Sequence, residues 1–419
     1  MLELSLHGVG RSIRTFATAG MLAVAISVIT MTNVDAKENV QTLITNVNGY
    51  TLDSAGKLVT FSQILIKNDR VAKIGKILGS DPNFSGDTII IDGQGKTLLP
   101  GLIDAHGHML GLGQNLLEVD LRGTASEQEA IQRVLGFVAN SAATNDSWVV
   151  GRGWNQVLWD NSEFPTKETL DAVLPNRPVM LSRIDSHAIW VNSKALELAG
   201  ITAETSAPAG GEIVKDAQGQ PTGILIDNAM NLVESLLPQP DDATLTAQLE
   251  AASAHLLSVG ITSMHDAGIP HSVYHFYQEQ AKAQALAVRI YAMIAATDPH
   301  LPTMLAKGHI NDPQSMLSIR SVKVYGDGAL GSRGAALLEP YSDDMDNHGL
   351  LVTPQEALPH VFRQIIGANF QLNYHAIGDR ANRLAVHQFA QTFTEFPENT
   401  HRHRIEHAQV IAVEDIPLF

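Results

Sequence analysis

Apolar positions along the chain fall into two kinds of run. From about Gln41 to Leu99 they alternate with polar ones or cluster in short blocks, TLITNVNGYTL, FSQILIKNDRVAKIG and DTIIIDGQGKTLLPG. Asn-Gly, Asn-Asp and Asp-Gly pairs punctuate them, so this stretch reads as a small β domain. Beyond it the pattern changes. Apolar blocks ending in polar residues follow one another: GLIDAHGH, GITSMHDAG, AVRIYAMIAA, SVKVYGDG, FQLNYHAIGD and RHRIEHAQV. Helical stretches separate them; Leu245–Ser258 carries apolar residues at helical spacing, and Pro354–Ala368 reads the same way. Strands alternating with helices imply βαβ units and a parallel sheet.

Spacing points to a barrel. His375 and His407 are 407 − 375 = 32 residues apart, and a (β/α)₈ barrel of about 250 residues spends roughly 31 on each βα unit. Polar residues at the C-terminal ends of successive strands would converge on one mouth. Six such strands are visible where eight are expected. Between His108 and Leu245 lies too much chain for a simple crossover. It holds strand-like pieces of its own, WVVGRGW, PVMLSRID and GGEIV, and reads as an inserted lid or substrate region over residues 115–240.

The N-terminus reads as an address. Arg11 and Arg14 precede an uncharged run from Phe16 to Met31, and Val34-Asp35-Ala36 offers small residues for a signal peptidase. The expectation is a signal peptide over 1–36, cleavage after Ala36 and export to the periplasm or beyond, with no stable membrane insertion afterwards. An uncleaved anchor is the alternative, although the run is short against the roughly 20 residues a span needs. The mature chain would then comprise part of a β-sandwich domain at 37–99 and the barrel at 100–419.

Composition narrows the chemistry. Of 419 residues, 44% are hydrophobic and 17% charged, which excludes a disordered chain. Lys and Arg total 28 against 44 Asp and Glu, and a net charge of −16 disfavours nucleic-acid binding. The absence of Cys removes thiolate nucleophiles, disulfides and Cys-based zinc sites. The 17 His remain.

His106 and His108 stand at i and i+2, a spacing that turns both imidazoles of an extended segment to the same side. Alone, such a pair is as readily two packing histidines. His375 and His407 also end strand-like blocks, and the four together point to a metal site. Lys323 is the odd residue among these strand ends. It would ordinarily snorkel or pair with a carboxylate; desolvated near cations, its free amine could instead take up carbon dioxide as an anionic carbamate ligand.

LPGLIDAHGH, VKVYGDGALGSRGAALLEPYSD, HAIGDRA and RIEHAQV, in this order, resemble the amidohydrolase superfamily, nearest to the branch related to N-substituted formamide deformylase. The resemblance runs from about Gln41 to Phe419 and includes GWNQVLW, SHAIWVNSKAL and GGEIV in the insertion. It implies an α/β fold of (β/α)₈ TIM-barrel type. It also implies a metal site of His106, His108, a carboxylated Lys323, His375 and His407, on strands one, four, five and six, holding one or two divalent ions with Zn²⁺ as the default. The implied reaction is hydrolysis of a non-peptide C–N bond by metal-activated water, on linear amides such as N-substituted formamides.

The family's aspartate after the eighth strand, a metal ligand and proton acceptor, has no counterpart here, because only twelve residues follow His407 and Asp415 is too close behind it. The catalytic acceptor is therefore unassigned, and the sequence reads as a C-terminally truncated fragment. Trp154 and His187 in the insertion are candidate substrate contacts equally readable as structural, and Arg333 in the Gly326–Asp327–Gly328 loop is a third, read first as structural. His265 and Asp266 are readable as mouth residues or as a satisfied pair, and Asp379 with Arg380 as an ion pair at a helix start. An esterase or lactonase using the same site, or an inactive metal-binding fragment, are the alternatives. The expected partner is a small amide substrate, with self-association left open.

Overall fold

The computed structural model describes residues 41–77, 88–140, 147–208, 211–331 and 333–419. The inferred signal segment, with Arg11 and Arg14, lies outside them. Among the described residues no helix is long and apolar enough to cross a membrane. The chain divides into two compact units at Pro100 and Gly101.

In the first unit the alternating apolar residues build two small sheets. Strands Arg70–Gly75, Gln63–Lys67, Gln41–Thr45 and Ile89–Asp92 lie side by side in that order, and Leu58–Phe61, Asn48–Leu52 and Thr97–Leu98 form the other sheet. Leu43 and Leu65, opposite each other in register, are buried. The tight turn between Lys67 and Arg70 places Asn68 at φ +56°, a conformation that asparagine tolerates.

The second unit carries the parallel sheet. Its strands are Leu102–Gly107, Ile261–Ile269, Arg289–Ala295, Leu317–Tyr325, Gln371–Ala376 and Arg404–His407, each paired in parallel with its neighbour in chain order. These are the first to sixth barrel strands. Side chains alternate across them as pleating requires. Val322, Val324, Leu372 and Tyr374 face a core completed by Phe362 and Ile365 of helix Leu358–Gly367 and Phe389 of helix Asp379–Glu395. Ser321, Lys323, Asn373 and His375, in the alternate positions, face the other side. The sheet curls far enough that first and sixth strands touch through side chains, with His106 Nδ1 and Glu406 Oε2 2.6 Å apart.

The insertion folds around a six-stranded mixed sheet ordered Gly211–Lys215, Pro221–Asp227, Ala188–Val191, Val179–Arg183, Val149–Trp154 and Val119–Asp120. Three of these strands stand out in the sequence. Ala188–Val191 does not, because all four of its residues are buried and no polar alternation marks it. Helix Asp242–Ser258 starts three residues before its apolar pattern does, where Asp241 caps it by accepting the Thr244 N–H at 2.8 Å.

Candidate metal centre

All five expected ligands stand at the C-terminal ends of the first, fourth, fifth and sixth barrel strands. His106 is the penultimate residue of the first strand, and His108 follows that strand as the N-cap of helix Met109–Leu117. Register places Lys323 beside Asn373, Tyr325 beside His375 and Ala376 beside His407. Strand alternation alone would turn His407 away from Glu406 and the interior. A left-handed φ of +75° at His407, followed by +44° at Ala408, breaks the alternation, and the ring lies 4.7 Å from that of His106 and 4.6 Å from that of His375 between centroids. Such backbone costs of order 1–3 kcal/mol and persists where surroundings over-determine it. His108 completes the row, its ring 5.9 Å from His106.

Lys323 is 1% exposed, and its Nζ lies 3.2 Å from His106 Nε2. Burial pulls its pKa down to about 8, against the pull of Glu406 and with a further push from Arg404. His407 is lowered to about 4, by burial first and then by the positive charge of His375, Lys323 and His106, so it presents a neutral ring with a lone pair. Burial would raise the Glu406 carboxyl, but the His106 hydrogen bond and the charges of Arg404, His106 and Lys323 prevail and lower it. A carboxylate only accepts, so His106 Nδ1 donates to it and the Nε2 lone pair is left free to face Lys323 or a cation. Arg404 lies 2.7 Å from the other Glu406 oxygen and also reaches His265. In donor chemistry this set fits a divalent cation. Among the described residues no three His, Asp or Glu side chains already enclose one ion position.

Two carboxylates support the centre without having stood out as ligand supports in the sequence. Glu406 is one. Asp327, 2% exposed, accepts the N–H groups of Ala336, Ile377 and Gly378 and lies 3.4 Å from His375 Nε2, tying the glycine loop to the fifth strand. Asp266 and His265 do not form a pair; they occupy opposite faces of the second strand. Asp266 is buried, takes the Tyr277 hydroxyl at 2.6 Å and the Met109 N–H at 3.1 Å, and so holds the turn that carries His108.

The three candidate substrate contacts do not come together. Trp154 has no exposed surface; it packs with Trp159, Trp190 and Phe164 and donates to the Leu181 carbonyl, which makes it the centre of the insertion's core. His187 is exposed and pairs with Asp227 at 2.7 Å. Arg333 is 46% exposed and pairs with Asp343 at 2.9 Å. Asp379 and Arg380 form no ion pair among the described residues; Asp379 accepts the Leu338 and Arg380 N–H groups instead. A cavity of about 840 Å³ opens beside His108. The insertion lines it with Val150, Arg152, Met180 and Met230, and the helix after the first strand with Leu112 and Asn115.

A curved parallel sheet with imidazoles and a buried lysine at its C-terminal edge is the architecture of a metal-dependent hydrolase barrel. Residues 90–417 match the Amidohydro_3 model of the amidohydrolase family, and the chain belongs to that family. Protein LONG AFTER FAR-RED 3 of Arabidopsis thaliana is 32% identical over 88% of this chain and 64% of its own length. The N-substituted formamide deformylase of Arthrobacter pascens is 29% identical over 56% of this chain and 44% of that protein. An uncharacterized metal-dependent hydrolase from Pyrococcus furiosus superposes with a TM-score of 0.71 at 27% identity, over 90% of this chain and 74% of that one. The chain thus spans less than two thirds of the length of these two curated relatives.

Proposed function

We propose that the chain is the metal-binding part of a hydrolase acting on non-peptide C–N bonds of linear amides such as N-substituted formamides. His106, His108, His375, His407 and a carboxylated Lys323 hold one or two zinc ions. The observation that carries this reading is Lys323, a nearly fully buried amine against His106 Nε2 with no carboxylate of its own at contact distance among the described residues. With a pKa of about 8, roughly one amine in ten is free at neutral pH. Its lone pair can attack carbon dioxide, forming an N–C bond and releasing one proton. A divalent ion bound there supplies a Lewis acid and water acidified toward a pKa of about 7. The chain's own part is to hold the rings: Glu406 orients His106, Asp266 fixes the turn at His108, and Asp327 anchors the loop beside His375. Leu112, Val150, Met180 and Met230 offer an apolar wall to an amide's N-substituent, and the formamide deformylase relative favours that substrate class.

The test is reconstitution of the chelator-stripped chain with zinc and carbon-13 bicarbonate. A carbamate resonance that requires zinc and is absent from Lys323→Met, with zinc-dependent binding of an N-substituted formamide, is the expected result. A wild-type protein that binds zinc with no carbamate would remove Lys323 from the ligand set. Zinc-loaded, carbamylated protein that binds no N-substituted formamide would overturn the substrate class.

A further inference from the structure

Away from the barrel centre, a second group of imidazoles stands on the loops after the second and third barrel strands. His271 and His275 begin helix His271–Lys282, one turn apart on one face. Their Nε2 atoms face each other at 3.1 Å, with the rings edge to face. Two lone pairs that close repel, so the contact holds either a proton or a cation that both nitrogens ligate. Two imidazoles on one tetrahedral ion, with metal–nitrogen bonds of about 2.0–2.1 Å, place their nitrogens about 3.3 Å apart. His300, just before helix Leu301–Ala306, stacks on His271 with centroids 4.3 Å apart. Asp298 organises the group. It accepts the backbone N–H of His271 and of His300, each at 2.7 Å, and its Oδ1 lies 3.2 Å from His300 Nδ1. Carboxylates commonly fix rings around metals in this way.

We propose that His271 and His275 form a second divalent-metal site, separate from the His106 cluster. It takes a borderline transition ion such as Zn²⁺, Ni²⁺ or Cu²⁺ on two imidazoles, with water completing the shell. Imidazole donors select these ions over Mg²⁺ and Ca²⁺, which prefer oxygen. The chelate is bidentate, since no three His, Asp or Glu side chains among the described residues enclose an ion; His300 supports it from behind. Lys307 and Lys282 oppose the bound charge and Glu279 favours it, so the ion exchanges readily.

The full chain, stripped with chelator and titrated with Cu²⁺, should take up one more ion than His275→Gln or His275→Ala. Electron paramagnetic resonance of that extra ion should show two imidazole nitrogens. Gln keeps a hydrogen-bonding partner for His271 but supplies no comparable ligand, and position 275 is exposed, so metal-free melting should match wild type. His106→Ala should leave the extra ion in place, which separates this site from the barrel centre. Equal uptake by wild type and His275→Gln would reduce the contact to an ordinary hydrogen bond and overturn the proposal.

Discussion

His403 accepts the Leu372 N–H through Nδ1 at 2.9 Å and packs in a three-ring cluster with Phe389 and Phe393. Burial, helped by the nearby His401 charge, lowers its pKa to about 4. The unfolded chain binds that proton near pH 6.5, so protonation favours unfolding between those two values. Stability from this group is complete above about pH 6.5 and is lost as pH falls toward 4. Discounted for partial exposure, the loss should be about 1–2 kcal/mol. His403→Asn, whose Oδ1 can accept the same N–H, should flatten the fall in melting temperature across pH 6.5–4. An unchanged slope would show that His403 titrates normally. Nothing around position 403 in the sequence separates this buried base from the strand-end histidines nearby; the two phenylalanines come from a helix that begins more than twenty residues earlier.

Helix Met109–Leu117 shows the same dependence at the level of an element. It crosses helix Asp242–Ser258 so closely that a Cβ on Gly113 would sit 1.9 Å from the Gln248 carbonyl oxygen. Alanine is the better helix former by about 1 kcal/mol, while forcing an atom against backbone costs about 1–3 kcal/mol. The clash should win. Gly113→Ala should lower the melting temperature, and because Met109 is anchored to Asp266 beside His108, it should also weaken metal binding in titration. A Gly113→Ala protein that melts at or above wild type would show that the helices have room to part. The barrel strands and this crossing differ in legibility. Strands such as Ile261–Ile269 announce themselves through local pattern, whereas a helix–helix contact between residues 113 and 248 leaves no mark in either segment.

Across the whole second unit, the five candidate ligands join strands one, four, five and six. An ion held by them cross-links segments about 300 residues apart, as the His106–Glu406 contact does. Binding at 100 times the dissociation constant should add about 2.7 kcal/mol. Chelator treatment should therefore lower the melting temperature, and zinc should restore it in wild type but not in His106→Ala/His407→Ala. A melting curve indifferent to both treatments would mean that the cluster holds no ion. Much of this arrangement is determined by the chain alone. The order of the six strands follows from apolar blocks alternating with helical stretches, and the His106–His108 spacing together with the 32-residue interval to His407 follows from strand pleat and βα repeat length. Both are local periodicities, written in neighbouring residues. What only the tertiary structure decides is which groups meet. Folding makes Trp154 a core residue, seats Asp266 against the Tyr277 hydroxyl and the Met109 N–H, brings Glu406 onto His106, and twists His407 through a left-handed backbone into the row of rings. Those outcomes depend on sheet curvature and on burial by distant segments, and no local pattern encodes either.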